Sequence, residues 1–238
     1  MVFTQQFRVR FDECASDGAA RASVCLRYVV ETAFAHSTHA GFPLAWYDNR
    51  GLHWLVRRVR LDLSHPVPYG ALLSVTTEVV GFRRIWARRR NTIQNEHGHL
   101  LGHVALDWIF TDQRGTPTRV LPEMEAAFPT NAERSRLEVE HLEVGPVPPG
   151  VPLQEYRVPP HQTDPRGHMN SAAYLELFED ALAEAHVDPQ TRPVTYELEY
   201  LRPLVPGELI HRCVWPALEG WTLLVTSAGA VVVRGRRS

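Results

Sequence analysis

The chain has 238 residues, 44% hydrophobic and 22% charged, with a formal net charge of −2. These totals describe one large or two modest globular domains and exclude a global attraction to nucleic acid or to a membrane surface. Three cysteines without metal-ligand spacing read as reduced thiols of a cytoplasmic protein, and no apolar run has signal-peptide or membrane-spanning length.

In chain order, hydrophobic periodicity predicts a strand over residues 5–13, a helix over 24–40, and strands over 52–63, 71–81, 85–96 and 100–111. The helix carries its apolar stripe on Leu26, Val29, Val30, Ala33 and Phe34. "NEHGH" (95–99) supplies the turn of a hairpin between the last two strands. A proline- and glycine-rich stretch over 129–155 reads as a linker. After it come a strand over 154–163, a helix over 171–186, and strands over 194–201, 208–215, 221–227 and 230–235. Tyr174, Leu177, Phe178, Ala181 and Leu182 repeat the stripe of the first helix, and "RPLVPG" (202–207) repeats the proline–glycine spacing of "HPVPYG" (65–70).

The chain is therefore written twice: strand, helix, then a meander of strands. That order implies an α+β class, with an antiparallel sheet curled around a helix in each half. Predicted boundaries are 1–128 for the first domain, 129–153 for the linker and 154–238 for the second. Two such halves side by side bury what one leaves exposed, so the chain is a pseudo-dimer, monomeric or paired again as a homodimer.

Positive charge concentrates on predicted strands of the first half: Arg57, Arg58 and Arg60, then Arg83, Arg84, Arg88, Arg89 and Arg90. Period-two geometry puts Arg88 and Arg90 on one face and Arg89 on the other. The patch reads as strand surface with cross-strand acid partners, or as a landing site for an acidic carrier protein or coenzyme A phosphates. No aromatic-interleaved basic stripe accompanies it, so nucleic acid is not expected.

The chemistry-bearing stretch is "TDPRGHMNSAAYLELFEDAL" (163–182). Asp164 ends a strand, Gly167 permits a turn, and Asn170 or Ser171 caps the helix. A helix N-terminus presents free N–H groups and partial positive charge, which would polarise a thioester carbonyl and stabilise the oxyanion formed on attack. Asp164 would deprotonate a water or attack the carbonyl itself, with His168 and Asn170 orienting the water or the carbonyl. Turn-and-cap chemistry explains the same residues without catalysis. The contrast between halves favours function: aligning Tyr174 with Leu26 (an offset of 148) places Asp164 on Ser16, His168 on Ala20 and Asn170 on Ala22. No metal or cofactor is expected, because the histidines and acids lack ligand spacing.

The segment "DPRGHMNSAAYLELFEDA" resembles the Asp-x-x-Gly-His-x-Asn-x-x-x-Tyr signature of hotdog-fold thioesterases, the group that includes 4-hydroxybenzoyl-CoA thioesterase. The whole chain resembles the tandem-hotdog acyl-acyl-carrier-protein thioesterases. Supporting positions are Glu13 at the end of the first strand, Glu31 and His36 on the helix, Trp54 in "GLHWLVRRVRLDL", then "PVPYG", "GFRRIWARRRNTI", Trp108 and "RVLPEM".

The resemblance implies a double hotdog whose first half holds the acyl chain and whose second half carries catalysis. It implies Asp164, His168 and Asn170 as catalytic residues, and substrate contacts from Gly167, Arg166 and Trp54. The substrate would be a fatty acyl thioester, on acyl carrier protein by preference or on coenzyme A. The sequence departs from the family pattern at two places. Arg166 stands where the family has asparagine, and Pro203 and Leu204 stand where it has glutamate or cysteine. Those departures keep a noncatalytic acyl-thioester-binding protein as the alternative.

Overall fold

In a computed structural model describing residues 1–130 and 141–238, the strands form one ten-stranded sheet. The first half supplies β1 (Val2–Arg8), β2 (Leu52–Leu63), β3 (Leu72–Arg83), β4 (Trp86–Asn95) and β5 (Leu100–Asp112). The second supplies β6 (Gln154–Arg157), β7 (Val194–Tyr200), β8 (Leu209–Ala217), β9 (Gly220–Ser227) and β10 (Ala230–Arg237). Their order is β1-β3-β4-β5-β2-β7-β10-β9-β8-β6, with every pairing antiparallel. The helices α1 (Ala22–His39) and α4 (Ser171–Glu184) pack on the sheet and on each other.

Two short helices, α2 (Leu44–Asp48) and α3 (Pro122–Ala127), are additions to the predicted order. One or two turns carry too little periodicity to register in sequence. They help to enclose a small core of Phe42, Tyr47, Phe110, Met124 and Phe128, separate from the main core. Part of the expected linker, residues 131–140, lies outside the described residues.

Two predicted strands are shorter than expected. β1 stops at Arg8 and β6 at Arg157, and each is followed by a 3-10 turn, at Phe11–Glu13 and Pro160–Gln162. Pro159 and Pro160 remove the N–H donors a longer β6 would need. Glu13 and Asp164 therefore sit in connections rather than at strand ends.

The halves join where β2 pairs with β7, so neither central edge stays open. Arg58 lies opposite Glu199 and Arg60 opposite Glu197 in this register. Glu197 accepts from Arg58 at 3.1 Å and also from Arg236; Glu199 accepts from Arg57 at 3.3 Å, His141 at 2.8 Å and the Leu142 N–H at 3.1 Å. Both acids are buried, not the solvated strand charges their alternation suggests. Arg88 likewise meets Asp107 at 2.6 Å, and Arg90 meets Glu78. The arginine-rich strands are thus built on cross-strand pairs.

Burial pushes the Glu197 carboxyl up, but hydrogen bonds and charge from Arg236 and Arg58 outweigh it and hold the group below its ordinary range. A depressed carboxylate contributes stability above that range and loses it as pH falls. Glu197→Gln should therefore lower Tm at neutral pH and flatten the decline of Tm on acidification; a decline as steep as that of the unmodified protein would show that the junction is not acid-sensitive through Glu197.

Candidate active site

The turn before α4 is built by its own polar groups. The Asp164 N–H donates to the His168 carbonyl at 2.7 Å, and the Gly167 N–H donates to the Asp164 carbonyl at 2.9 Å. Gly167 takes a φ of +76°, which glycine adopts without strain. Asp164 Oδ1 accepts from the N–H groups of Arg166 (2.9 Å) and His168 (3.1 Å), while Oδ2 takes no bond among the described residues. One oxygen holds the turn and the other is available. Asn170 is the N-cap of α4: its Oδ1 accepts from the Ala172 N–H at 2.9 Å, leaving its side-chain NH2 as a donor.

The corresponding turn of the first half has the same backbone bonds: the Ala15 N–H donates to the Ala19 carbonyl and the Gly18 N–H to the Ala15 carbonyl. These bonds, and the starts of α1 and α4 at Ala22 and Ser171, set the structural offset at 149, one more than the side-chain stripes suggest. Asp164 therefore corresponds to Ala15, His168 to Ala19 and Asn170 to Arg21, and Glu179 corresponds to Val30 rather than Glu31. The contrast survives the correction at these positions: alanine stands in place of both Asp164 and His168, and the first turn's own acid, Asp17, occupies the place of Arg166, where its Oδ1 accepts from the Ala19 N–H at 2.9 Å.

The offset also reveals the axis relating the halves. Arg27 pairs with Glu176, its own counterpart, at 2.6 Å across α1 and α4. Near it, the buried Glu179 carboxylate of α4 accepts from the N–H groups of Ala22 (2.8 Å) and Ser23 (3.4 Å), closing the N-terminus of α1. The symmetry-related pair is Val30 and Ser171. Valine offers no acceptor, and both residues line a cavity of about 1080 Å3. One helix N-terminus is plugged by a carboxylate and its twin opens into space.

That cavity spans both halves. Asp164, Arg166, His168 and Asn170 line it from the second half, with Trp54 among the walls from the first. Gly167 shapes the turn and is not among the lining residues. The walls include Phe34, Trp108 and Tyr47, so Phe34, expected in the packed stripe of α1, remains 38% exposed toward this space and meets Trp108 edge-on. Pro203 also lines the cavity, whereas Leu204 is fully buried.

Two polar atoms of these lining residues, His168 Nδ1 and Arg166 Nη1, are buried without partners among the described residues. The closest acid to Arg166 is Asp48 of α2, 4.0 Å from Nη2, so Arg166 does not pair with Asp164. Glu13, which sequence reasoning left at a strand end, also lines the cavity. Burial raises its carboxyl, but bonds from the Tyr28 hydroxyl and from Arg10 outweigh this and hold it ionised below its usual range.

The model of the acyl-ACP thioesterase N-terminal domain matches residues 1–128. The chain belongs to the acyl-ACP thioesterase family. It is an acyl thioester hydrolase. No protein of curated function matches it in sequence. Among solved structures, a Lactobacillus plantarum protein that carries the provisional name oleoyl thioesterase is 16% identical, with a TM-score of 0.87 over 99% of this chain and 94% of that one. The 12:0-ACP thioesterase of Umbellularia californica is 17% identical, with a TM-score of 0.84 over 100% and 96%. An acyl-ACP thioesterase from Bacteroides thetaiotaomicron is 18% identical, with a TM-score of 0.82 over 98% and 96%. At these identities the likeness is one of fold, and it is the double hotdog.

No group of three or more histidine, cysteine or acidic side chains among the described residues is arranged to hold a metal. No helix among them is long and apolar enough to cross a membrane.

Proposed function

We propose that this family member hydrolyses fatty acyl groups from acyl carrier protein, with coenzyme A thioesters as slower substrates, at the open N-terminus of α4. The supporting observation is the shared cavity: a carboxylate with one unbonded oxygen stands beside a helix end that no carboxylate plugs, and aromatic walls from the other half continue away from it.

In this reading the acyl chain lies along Trp54 and Trp108 with its carbonyl oxygen facing the Ser171 N–H and the Asn170 side-chain NH2. The positive end of α4 polarises the carbonyl. Asp164 Oδ2 takes a proton from water as the water oxygen bonds to the carbonyl carbon, giving a tetrahedral oxyanion. Collapse breaks the carbon–sulfur bond, the thiolate takes up a proton, and the fatty acid is released with its carbonyl restored. His168 lines the same cavity and orients the water or meets the sulfur. Arg166, largely buried and short of a close carboxylate, contacts the polar part of the substrate rather than reacting. Trp54 contacts the chain.

The domain assignment belongs to the same reading: residues 1–128 hold the chain, 129–153 connect, and 154–238 carry the reacting groups. One chain acts as a pseudo-dimer. Three free thiols, Cys14, Cys25 and Cys213, agree with a reducing cytoplasmic compartment.

Thiol release from matched panels of acyl-acyl-carrier protein and acyl-CoA is the test. The carrier-protein forms should give the higher kcat/KM at every active chain length; equal or reversed values would remove the carrier-protein assignment.

A further inference from the structure

Beyond the main cavity lies a second one of about 30 Å3, sharing the walls Phe34, Tyr47, Trp54 and Trp108 with it. Its size is that of about one water molecule. Its lining is apolar and aromatic except for the guanidinium of Arg89 on β4 and the hydroxyls of Ser37 and Tyr47, which bond each other at 2.9 Å. Arg89 is only 7% exposed. Its Nη1 bonds His36 Nδ1 at 2.9 Å and Thr77 Oγ1 at 3.5 Å, and the Phe128 ring lies 5.4 Å from Cζ.

No carboxylate pairs with Arg89 among the described residues, which sets it apart from Arg88 and Arg90 on β4 and from Arg57 and Arg58 on β2. Because arginine only donates, the His36 Nδ1 it touches must accept, and His36 is neutral with its proton on Nε2. Burial and the nearby Arg89 push His36 down to about 4. His36 Nε2 and Trp108 Nε1 are buried donors without acceptors among the described residues. The small cavity thus faces a guanidinium that has no carboxylate partner among the described residues, within walls whose other polar groups are two hydroxyls. Such a group is expensive to bury unless something supplies an acceptor.

We propose that the inner cavity receives the far end of an acyl chain carrying a terminal oxygen, so that the preferred substrates are ω-hydroxy or ω-carboxy acyl thioesters rather than plain alkanoyl ones. This rests on the reading that the main cavity holds the acyl group. A terminal oxygen would accept from Arg89 N–H groups that His36 and Thr77 leave unused. A methyl end at the same depth would leave them desolvated and unpaired, the circumstance in which a polar site discriminates most strongly.

Free fatty acids of graded length, each as plain, ω-hydroxy and ω-carboxy forms, should be titrated while following the intrinsic fluorescence of the six tryptophans, of which Trp54 and Trp108 line both cavities, and the matching thioesters assayed for thiol release. At the best length, the unmodified protein should bind an ω-oxygenated acid at least about tenfold more tightly than the plain acid. Arg89→Met should reduce that preference to about twofold or reverse it while still binding plain acids, and Arg89→Lys should retain part of it. Plain acids bound as tightly as, or more tightly than, the oxygenated ones at every length would overturn the proposal, and that result needs no variant to fold. Absence of thiol release from every thioester would count against the hydrolytic reading, while the binding titrations would still decide this inference.

Discussion

Asp164→Asn is expected to lower kcat for acyl thioester hydrolysis by about a hundred- to ten-thousand-fold, the range associated with loss of a general base, with little change in Tm. The isosteric amide keeps an oxygen where Oδ1 accepts from the Arg166 and His168 N–H groups, so the turn survives. What is lost is the second carboxylate oxygen and the charge. Asp164→Ala removes the turn acceptor as well, and should add a fall in stability of about 1–2 kcal/mol to the same loss of rate. Steady-state thiol release and thermal unfolding of both variants separate the two roles. Undiminished turnover in the asparagine variant would confine Asp164 to turn-making.

Glu179→Ala should destabilise the fold by about 2–4 kcal/mol, because it leaves the N–H groups of Ala22 and Ser23 without an acceptor and opens a hole between the long helices. For a chain of this length that corresponds to a drop in Tm of roughly 2–4 °C per kcal/mol. Glu179→Gln keeps an acceptor of the same size and should fall by much less. Burial raises the Glu179 carboxyl above its ordinary range, so any contribution from this titration favours the protonated, low-pH side and fades as pH rises through the raised value. A Tm unchanged in the alanine variant would mean that the α1 terminus does not need its plug.

The repeat was legible because each half had to bury a helix against a meander, and the apolar stripes of α1 and α4 are strong periodic signals. The register was one residue off for a physical reason: side-chain stripes recur at three and four residues, so neighbouring offsets match almost equally well. Only the backbone bonds of the Ala15 and Asp164 turns fix it. Residues from Asp164 to Asn170 stood out because local polar groups concentrate before a helix, and the same locality made turn-and-cap chemistry a true description of Asp164 Oδ1 and Asn170 Oδ1.

Arg89 was placed on the opposite face from Arg88 and Arg90 by parity alone. Nothing local said that this face turns inward, or that strand partners would supply acids to its neighbours and none to it. Glu197 and Glu199 show the reverse: alternating acids look solvent-facing until β2 brings over them Arg57 and Arg58, the latter 139 residues before Glu197. Pairing across β2 and β7 is a property of the assembled sheet.

Two identical subunits meeting about an axis must carry the same side chain on both sides of it. Fusing the copies into one polypeptide released that constraint, so glutamate could stand at position 179 while valine occupies its mirror place at 30. Each molecule should consequently take up a single equivalent of ligand, and saturation curves should be hyperbolic, without communication between twin sites.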